Sequence, residues 1–211
     1  MRPSGNHITG RSWTIAHLLL LVGLAACSTS TPPLPQLAPD AVVLAYGDSL
    51  TYGTGAGGDQ SYPAVLERLV RRRVINGGVP GELSGDGAKR LAALLDEHRP
   101  QLLILCHGGN DLLRKRDADN IETNLRTMIG LARERNIPVV LVGVPRPGLL
   151  LSVPDFYRKI AREFGLPLEA EVLPQIEGDR ALKSDSIHPN ADGYRLLAQR
   201  IYALMRSAGA V

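Results

Sequence analysis

The 211-residue sequence has no internal repeat, no G-x-x-x-x-G-K-[ST] phosphate loop and only two cysteines, Cys27 and Cys106. Without a repeat, and at this length, nothing suggests a second domain, and one well-packed unit is expected. The first 26 residues hold no acidic side chain at all, although acids and bases nearly balance over the whole chain, 21 against 24. Hydrophobic content of 44% and charged content of 21% are those of an ordinary globular protein, so neither disorder nor a fibrous architecture is favoured. Function has to be read from motifs.

The acid-free start carries Arg2 and Arg11, then runs apolar from Trp13 to Ala26. This is the charged-then-apolar order of a secretory signal, and it is too short for a comfortable membrane span. Residues 1–26 are therefore expected to be removed. The stretch Leu24-Ala25-Ala26-Cys27 resembles the lipobox of bacterial lipoproteins. That resemblance implies a Cys27 diacylated on its sulfur as the new N-terminus, and a chain held by lipid in the bacterial cell envelope, facing the periplasm. The non-acidic Ser28 implies the outer membrane in a Gram-negative cell. An ordinary cleaved signal with a cysteine near the cut is the alternative. Residues 27–39 read as the lipidated cysteine and a Ser/Thr/Pro-rich tether, which cannot bury a core, and the folded domain is expected over 40–211.

Losing residues 1–26 removes two bases and no acid, so the formal charge falls from +3 to about +1, and the basic balance gives no argument for nucleic acid. Arg71 to Arg73 read as a solvated helix end, where cations suit the dipole. Beyond Cys27 only Cys106 remains, within the apolar run LLILC. A disulfide inside the mature chain is excluded, and Cys106 is expected to be a small buried residue.

From residue 41 onward, short apolar runs alternate with longer amphipathic ones. Strands are expected at 41–46, 74–76, 101–107, 138–144 and about 166–170. Helices are expected at 61–73, 87–98, roughly 119–135, near 154–164 and from about 191 to 205. Runs such as LLIL and VVLV are apolar on both faces, as strands covered on both sides require. The pattern predicts an α/β fold, a three-layer α/β/α sandwich around a parallel sheet of about five strands. Ligands in such sheets collect beyond the carboxyl ends of the strands.

The first strand runs into GDSLTYG, and Ser49 there is either a turn former or a nucleophile presented by the sheet edge. An α/β-hydrolase elbow is excluded because Thr51 stands where glycine is needed. GTGAGG, residues 53–58, matches G-x-G-x-x-G, but the second strand ends in Asn76 with no acid for a ribose, so a dinucleotide site is not expected. For a base, the mature chain offers His98, His107 and His188. His98 closes a helix. His107 follows the core strand, with no nearby acid to orient it. His188 has Asp185 three residues before it, a spacing that can bring a carboxylate to one imidazole nitrogen while the other faces a serine. Oxyanion donors could come from the Ser49 N–H, the Asn110 side chain in GGND and a backbone N–H of NGGVPGELS.

In order, GDSL, NGGVPGELSGDGAKRL, GGND and DSIHPN resemble the four blocks of the GDSL or SGNH hydrolase superfamily over residues 41–205, most closely its bacterial thioesterase I, arylesterase and lysophospholipase branch. The resemblance implies a flavodoxin-like fold and a nucleophilic Ser49, with His188 as general base and acid and Asp185 orienting it. It implies an oxyanion hole of the Ser49 N–H, the Gly81 N–H and the Asn110 amide, with Gly85 the competing glycine. Neither metal nor organic cofactor is implied, and the partner is a small ester or thioester substrate. Asp48 and Asp111 are expected to bind neighbouring backbone groups. The loops LLRKRD and PRPGLLLSVPD stand where the branch often carries bulkier substrate loops, which leaves substrate choice open; a carbohydrate O-deacetylase and a non-catalytic binding lipoprotein are the alternatives.

Overall fold

The computed structural model describes Met1, residues 31–148 and residues 150–211. The proposed signal segment and Cys27 lie outside the described residues. Residues 31–211 form a compact unit with its own continuous hydrophobic core.

Five parallel strands make one sheet in the order β2-β1-β3-β4-β5. They are β1 (Val42–Gly47), β2 (Arg73–Gly78), β3 (Leu102–Cys106), β4 (Val139–Val142) and β5 (Leu168–Glu169). Every residue of β3 and β4 is buried, which is why both strands read as unbroken apolar runs rather than alternating ones. The helices α2 (Tyr62–Val70) and α8 (Ala191–Ser207) pack together, and α3 (Ser84–His98) packs with α5 (Ala118–Arg133), which in turn meets α6 (Asp155–Phe164). The three-layer expectation holds. Because the chain steps from β1 out to β2 and then back past β1 to β3, the order reverses between β1 and β3, and this is where an open parallel sheet forms its crevice.

Three short helices escape the sequence reading: α1 (Ser49–Tyr52), α4 (Gly109–Leu113) and α7 (Val172–Gly178). Two of them start directly after β1 and β3, so they appear in the sequence only as loop residues. Helix α1 begins where the Asp48 carboxylate accepts the Leu50 N–H at 3.1 Å, and α8 begins where Asn190 accepts from Asp192 and Gly193, both at 3.0 Å. These are side-chain caps for backbone donors without helical partners.

The start of the packed unit and the role of Arg72 differ from expectation. The packed unit starts at Thr31 rather than near Asp40, because Leu34 and Leu37 are buried and their N–H groups bond the Ala208 and Ala210 carbonyls at 2.8 and 2.9 Å. Two apolar side chains are enough to dock a proline-rich segment that composition alone marks as a tether. Arg72 completes the dock: its guanidinium donates to the Leu37 and Ala38 carbonyls, each at 3.2 Å. It is therefore a clamp, not part of a solvated helix end.

Gly47 pairs with Gly78 on one side and Cys106 on the other. A Cβ at Gly47 would collide with the Cys106 carbonyl oxygen and the Thr51 hydroxyl, so the approach of β1 to β3 requires glycine. Gly47→Ala is expected to cost at least about 2 kcal/mol of stability, read as a lowered urea midpoint. An unchanged midpoint would mean the two strands can part without penalty.

Candidate active site

The site gathers at the carboxyl ends of β1, β2 and β3 and before α8. Ser49 is the first residue of α1, so its N–H lies among the donors an α-helix leaves without internal partners; among the described residues it makes no backbone hydrogen bond. The Ser49 hydroxyl is 3.0 Å from His188 Nε2, and His188 Nδ1 is 2.7 Å from Asp185 Oδ2. The other Asp185 oxygen accepts the Ile187 and His188 N–H groups, both at 2.8 Å. Partial burial raises the Asp185 carboxyl, but these backbone bonds and the imidazole outweigh it and bring it down to about 2. Asp185 is thus a fixed anion across the neutral range, and Nδ1 carries the proton facing it, which leaves Nε2 free to accept from Ser49. Residues 136 to 139 positions apart in sequence are joined into one relay.

Asn110 sits in α4, immediately beyond β3. Its amide nitrogen donates to Asp48 Oδ2 at 3.2 Å and to the Glu82 carbonyl at 3.1 Å. Gly81 lies in the β2–α3 loop at φ +77°, exposed and with open space where a side chain would stand. It does not line the cleft that holds Ser49, but its neighbour Glu82 accepts from Asn110 and its own carbonyl accepts from Arg114 at 3.4 Å. Gly85, by contrast, is inside α3 beside Asn124. Of the two glycines, Gly81 is the one next to Glu82, whose carbonyl receives Asn110.

Asp48 and Asp111 behave as expected of backbone organisers. Asp48 caps α1 and also holds Asn110; burial raises its carboxyl, with His107, the Leu50 N–H and His188 opposing. Asp111 receives the Ser84 N–H at 2.8 Å and the Ser84 hydroxyl at 2.9 Å, tying the start of α3 to α4.

His107 does have an orienting acid. Its Nδ1 accepts the Gly108 N–H at 3.0 Å, so Nε2 holds the proton and donates to Glu82 at 3.1 Å. Glu82 also takes two bonds from Arg90, at 2.8 and 2.7 Å, and Arg90 lies 4.3 Å above the Tyr46 ring. Burial would raise Glu82, yet the His107 and Arg90 bonds prevail and bring it down to about 2. This network fixes the loop that carries Gly81. No sequence spacing announces it, since its members come from the β2–α3 loop, α3 and the end of β3.

The Ser49 cleft is shallow and partly open to solvent. Besides Asp48, Ser49, Asn110 and His188, its walls are Leu50, Leu113, Val144, Pro145, Pro147 and Ile187, with Glu177 of α7. Apolar walls around a few polar groups are what a small-molecule pocket presents. The arrangement can perform nucleophilic acyl transfer: a hydroxyl beside an oriented base, with N–H donors close by.

The sequence profile of the GDSL-like lipase/acylhydrolase family matches residues 45–196. The chain belongs to this family. Among relatives of this GDSL hydrolase, the arylesterase of Vibrio mimicus is 31% identical over 193 residues, covering 86% of this chain and 92% of the relative. Thioesterase 1/protease 1/lysophospholipase L1 of Escherichia coli strain K12 is 29% identical over 164 residues, 74% and 79% of the two chains. Among solved structures, that of TesA superposes with a TM-score of 0.71 at 26% identity, covering 79% of this chain and 99% of that one.

Glu177 is the titratable lining residue of this GDSL hydrolase that lies outside the four sequence blocks. Burial pushes its carboxyl up to about 7, against the pull of Lys183. A carboxyl whose folded-state value exceeds its unfolded value binds more protons when folded, so its contribution favours the fold at low pH and is lost as pH rises through about 7. Glu177→Gln is therefore expected to raise the melting temperature by roughly 3 °C at pH 8.5 and by much less at pH 5. Equal shifts at both pH values would show that Glu177 ionises without penalty.

Proposed function

We propose that this chain is a serine esterase that cleaves carboxylic esters or thioesters through an acyl-enzyme on Ser49. The observation that carries this reading is the unbroken Asp185–His188–Ser49 relay, at 2.7 and 3.0 Å. As the Ser49 oxygen bonds to the substrate carbonyl carbon, His188 Nε2 takes the hydroxyl proton, and ionised Asp185 stabilises the resulting imidazolium. The Ser49 N–H and an Asn110 amide hydrogen released from Asp48 hold the tetrahedral oxyanion, with the Gly81 N–H the third donor that the family resemblance implies. Each such donor is worth roughly 3 to 4 kcal/mol of barrier. The carbon–leaving-group bond then breaks as His188 returns its proton to the departing alcohol or thiol. Water, deprotonated by the same imidazole, releases the acid and restores Ser49.

The names of its relatives, arylesterase and thioesterase 1/protease 1/lysophospholipase L1, support aryl esters, acyl thioesters and lysophospholipids as the substrate classes to try. Residues 31–211 are expected to cleave short p-nitrophenyl esters, with kcat/KM falling at least about 1,000-fold in Ser49→Ala and about 100- to 10,000-fold in Asp185→Asn. Equal rates for wild type and Ser49→Ala would overturn the assignment.

The Leu24–Cys27 stretch supports a further reading, that the mature chain starts at a diacylated Cys27 and is held at the periplasmic face of the outer membrane. Metabolic labelling of a bacterial host with radioactive palmitate should mark the full-length chain and not Cys27→Ser. Labelling that survives this substitution would remove the lipid anchor.

A further inference from the structure

Among the described residues of the 31–211 unit, the large apolar side chains left exposed are Tyr52, Val79, Leu113 and Leu150, at 56, 40, 41 and 87%. Single exposed apolar residues are ordinary on a protein surface. These four are not scattered: they follow β1, β2, β3 and β4 in turn, so each lies beyond the carboxyl end of a different parallel strand, on the edge where Ser49 stands. Bonds to the neighbouring backbone hold the segments that carry them along this one edge. Asn76 donates to the Tyr52 carbonyl at 3.1 Å, Val79 N–H bonds Gly47 at 3.1 Å, Arg114 reaches the Gly81 carbonyl, and Leu113 shares the cleft wall with Pro147 of the Leu150 loop.

Cations accompany the apolar groups. Arg114, Lys115 and Arg116 follow Leu113, and Arg146 precedes Leu150 in the β4–α6 loop; all four are exposed. Among the described residues none of them joins an ion pair, whereas Arg90, Arg126 and Arg135 elsewhere do. Of the acids near this edge, Asp117 caps α5, Asp185 holds His188, Glu82 is paired with Arg90, and Glu177 is buried in the cleft wall.

We propose that this rim is an interfacial binding surface that seats the cleft mouth on an anionic phospholipid layer. Tyr52, Val79, Leu113 and Leu150 enter the headgroup–acyl boundary, and the four cations meet lipid phosphates. The charge complementarity selects a lipid surface over a second copy of the chain, whose matching rim would set like charges together. On the esterase reading, acyl substrates then pass from the layer into the cleft without crossing bulk water. Docking itself is measured without turnover, so it stands or fails separately from the chemistry.

Residues 31–211, free of the segment carrying Cys27, are to be sedimented with vesicles of phosphatidylcholine alone or mixed equally with phosphatidylglycerol. Binding should be at least tenfold stronger to the mixed vesicles and be largely lost in 0.5 M salt. Lys115→Glu/Arg116→Glu/Arg146→Glu should weaken it at least tenfold, and Leu150→Ser severalfold, while both variants keep wild-type turnover of soluble p-nitrophenyl acetate. Equal binding to the two vesicle types, no binding at all, or unweakened binding by the charge-reversed variant would overturn the proposal. So would self-association of the wild-type unit that Leu150→Ser abolishes.

Discussion

The approach of β1 to β3 at Gly47 is the constraint from which the site follows. With no side chain there, the Cys106 carbonyl and the Thr51 hydroxyl occupy the space a Cβ would need, and the chain can turn into α1 immediately after the strand. Ser49 is thereby held at the first helical position with its N–H unspent, and Asp48 is close enough to Asn110, across the β1/β3 switch point, to bond it at 3.2 Å. A wider separation would place nucleophile and amide donor on opposite walls of the crevice.

Around that point, buried acids organise backbone rather than do chemistry. Asp48 caps α1, Asp111 fixes the start of α3, and Glu82 binds His107 and Arg90 while its carbonyl receives Asn110. Unpaired, such groups would be costly inside a protein; fully bonded, they hold loops that have no sheet of their own to lean on. Asp185 is exposed and part of the relay, yet it is held the same way, since two backbone N–H groups fix its carboxylate where it meets His188.

Much of this was legible before any coordinates. The five strands and the three-layer order follow from apolar runs long enough to be covered on both faces. That Ser49, His188 and Asp185 could meet was readable because Ser49 closely follows a strand and the other two share one short block ahead of the last helix. What could not be read depends on meetings between distant segments. Glu82 lies 25 residues from His107 and Glu177 more than 120 from Ser49, with no period linking them, so His107 looked unoriented and the cleft's extra carboxyl went unnoticed. The α1 and α4 helices were missed because four or five residues cannot show a helical repeat. The docking of Leu34 and Leu37 was hidden by the prolines and hydroxyl residues around them.

The distinction between catalytic set and substrate choice follows from the same geometry. On the proposed mechanism, Ser49, His188 and the N–H donors address the carbonyl carbon, its oxygen and the leaving atom, which every ester and thioester possesses. They cannot separate one acyl chain from another. Discrimination has to come from the walls, Leu50, Leu113, Val144, Pro145, Pro147 and Ile187, where an added methylene gains or loses about 1 to 3 kcal/mol, a factor of about 10 to 200. Two of those walls, Leu113 and Pro147, come from the loops after β3 and β4, the segments where the sequence departs from the branch it resembles. A cleft built this way grades its substrates by acyl size rather than rejecting them outright, and that grading can change through loop residues while the relay stays fixed.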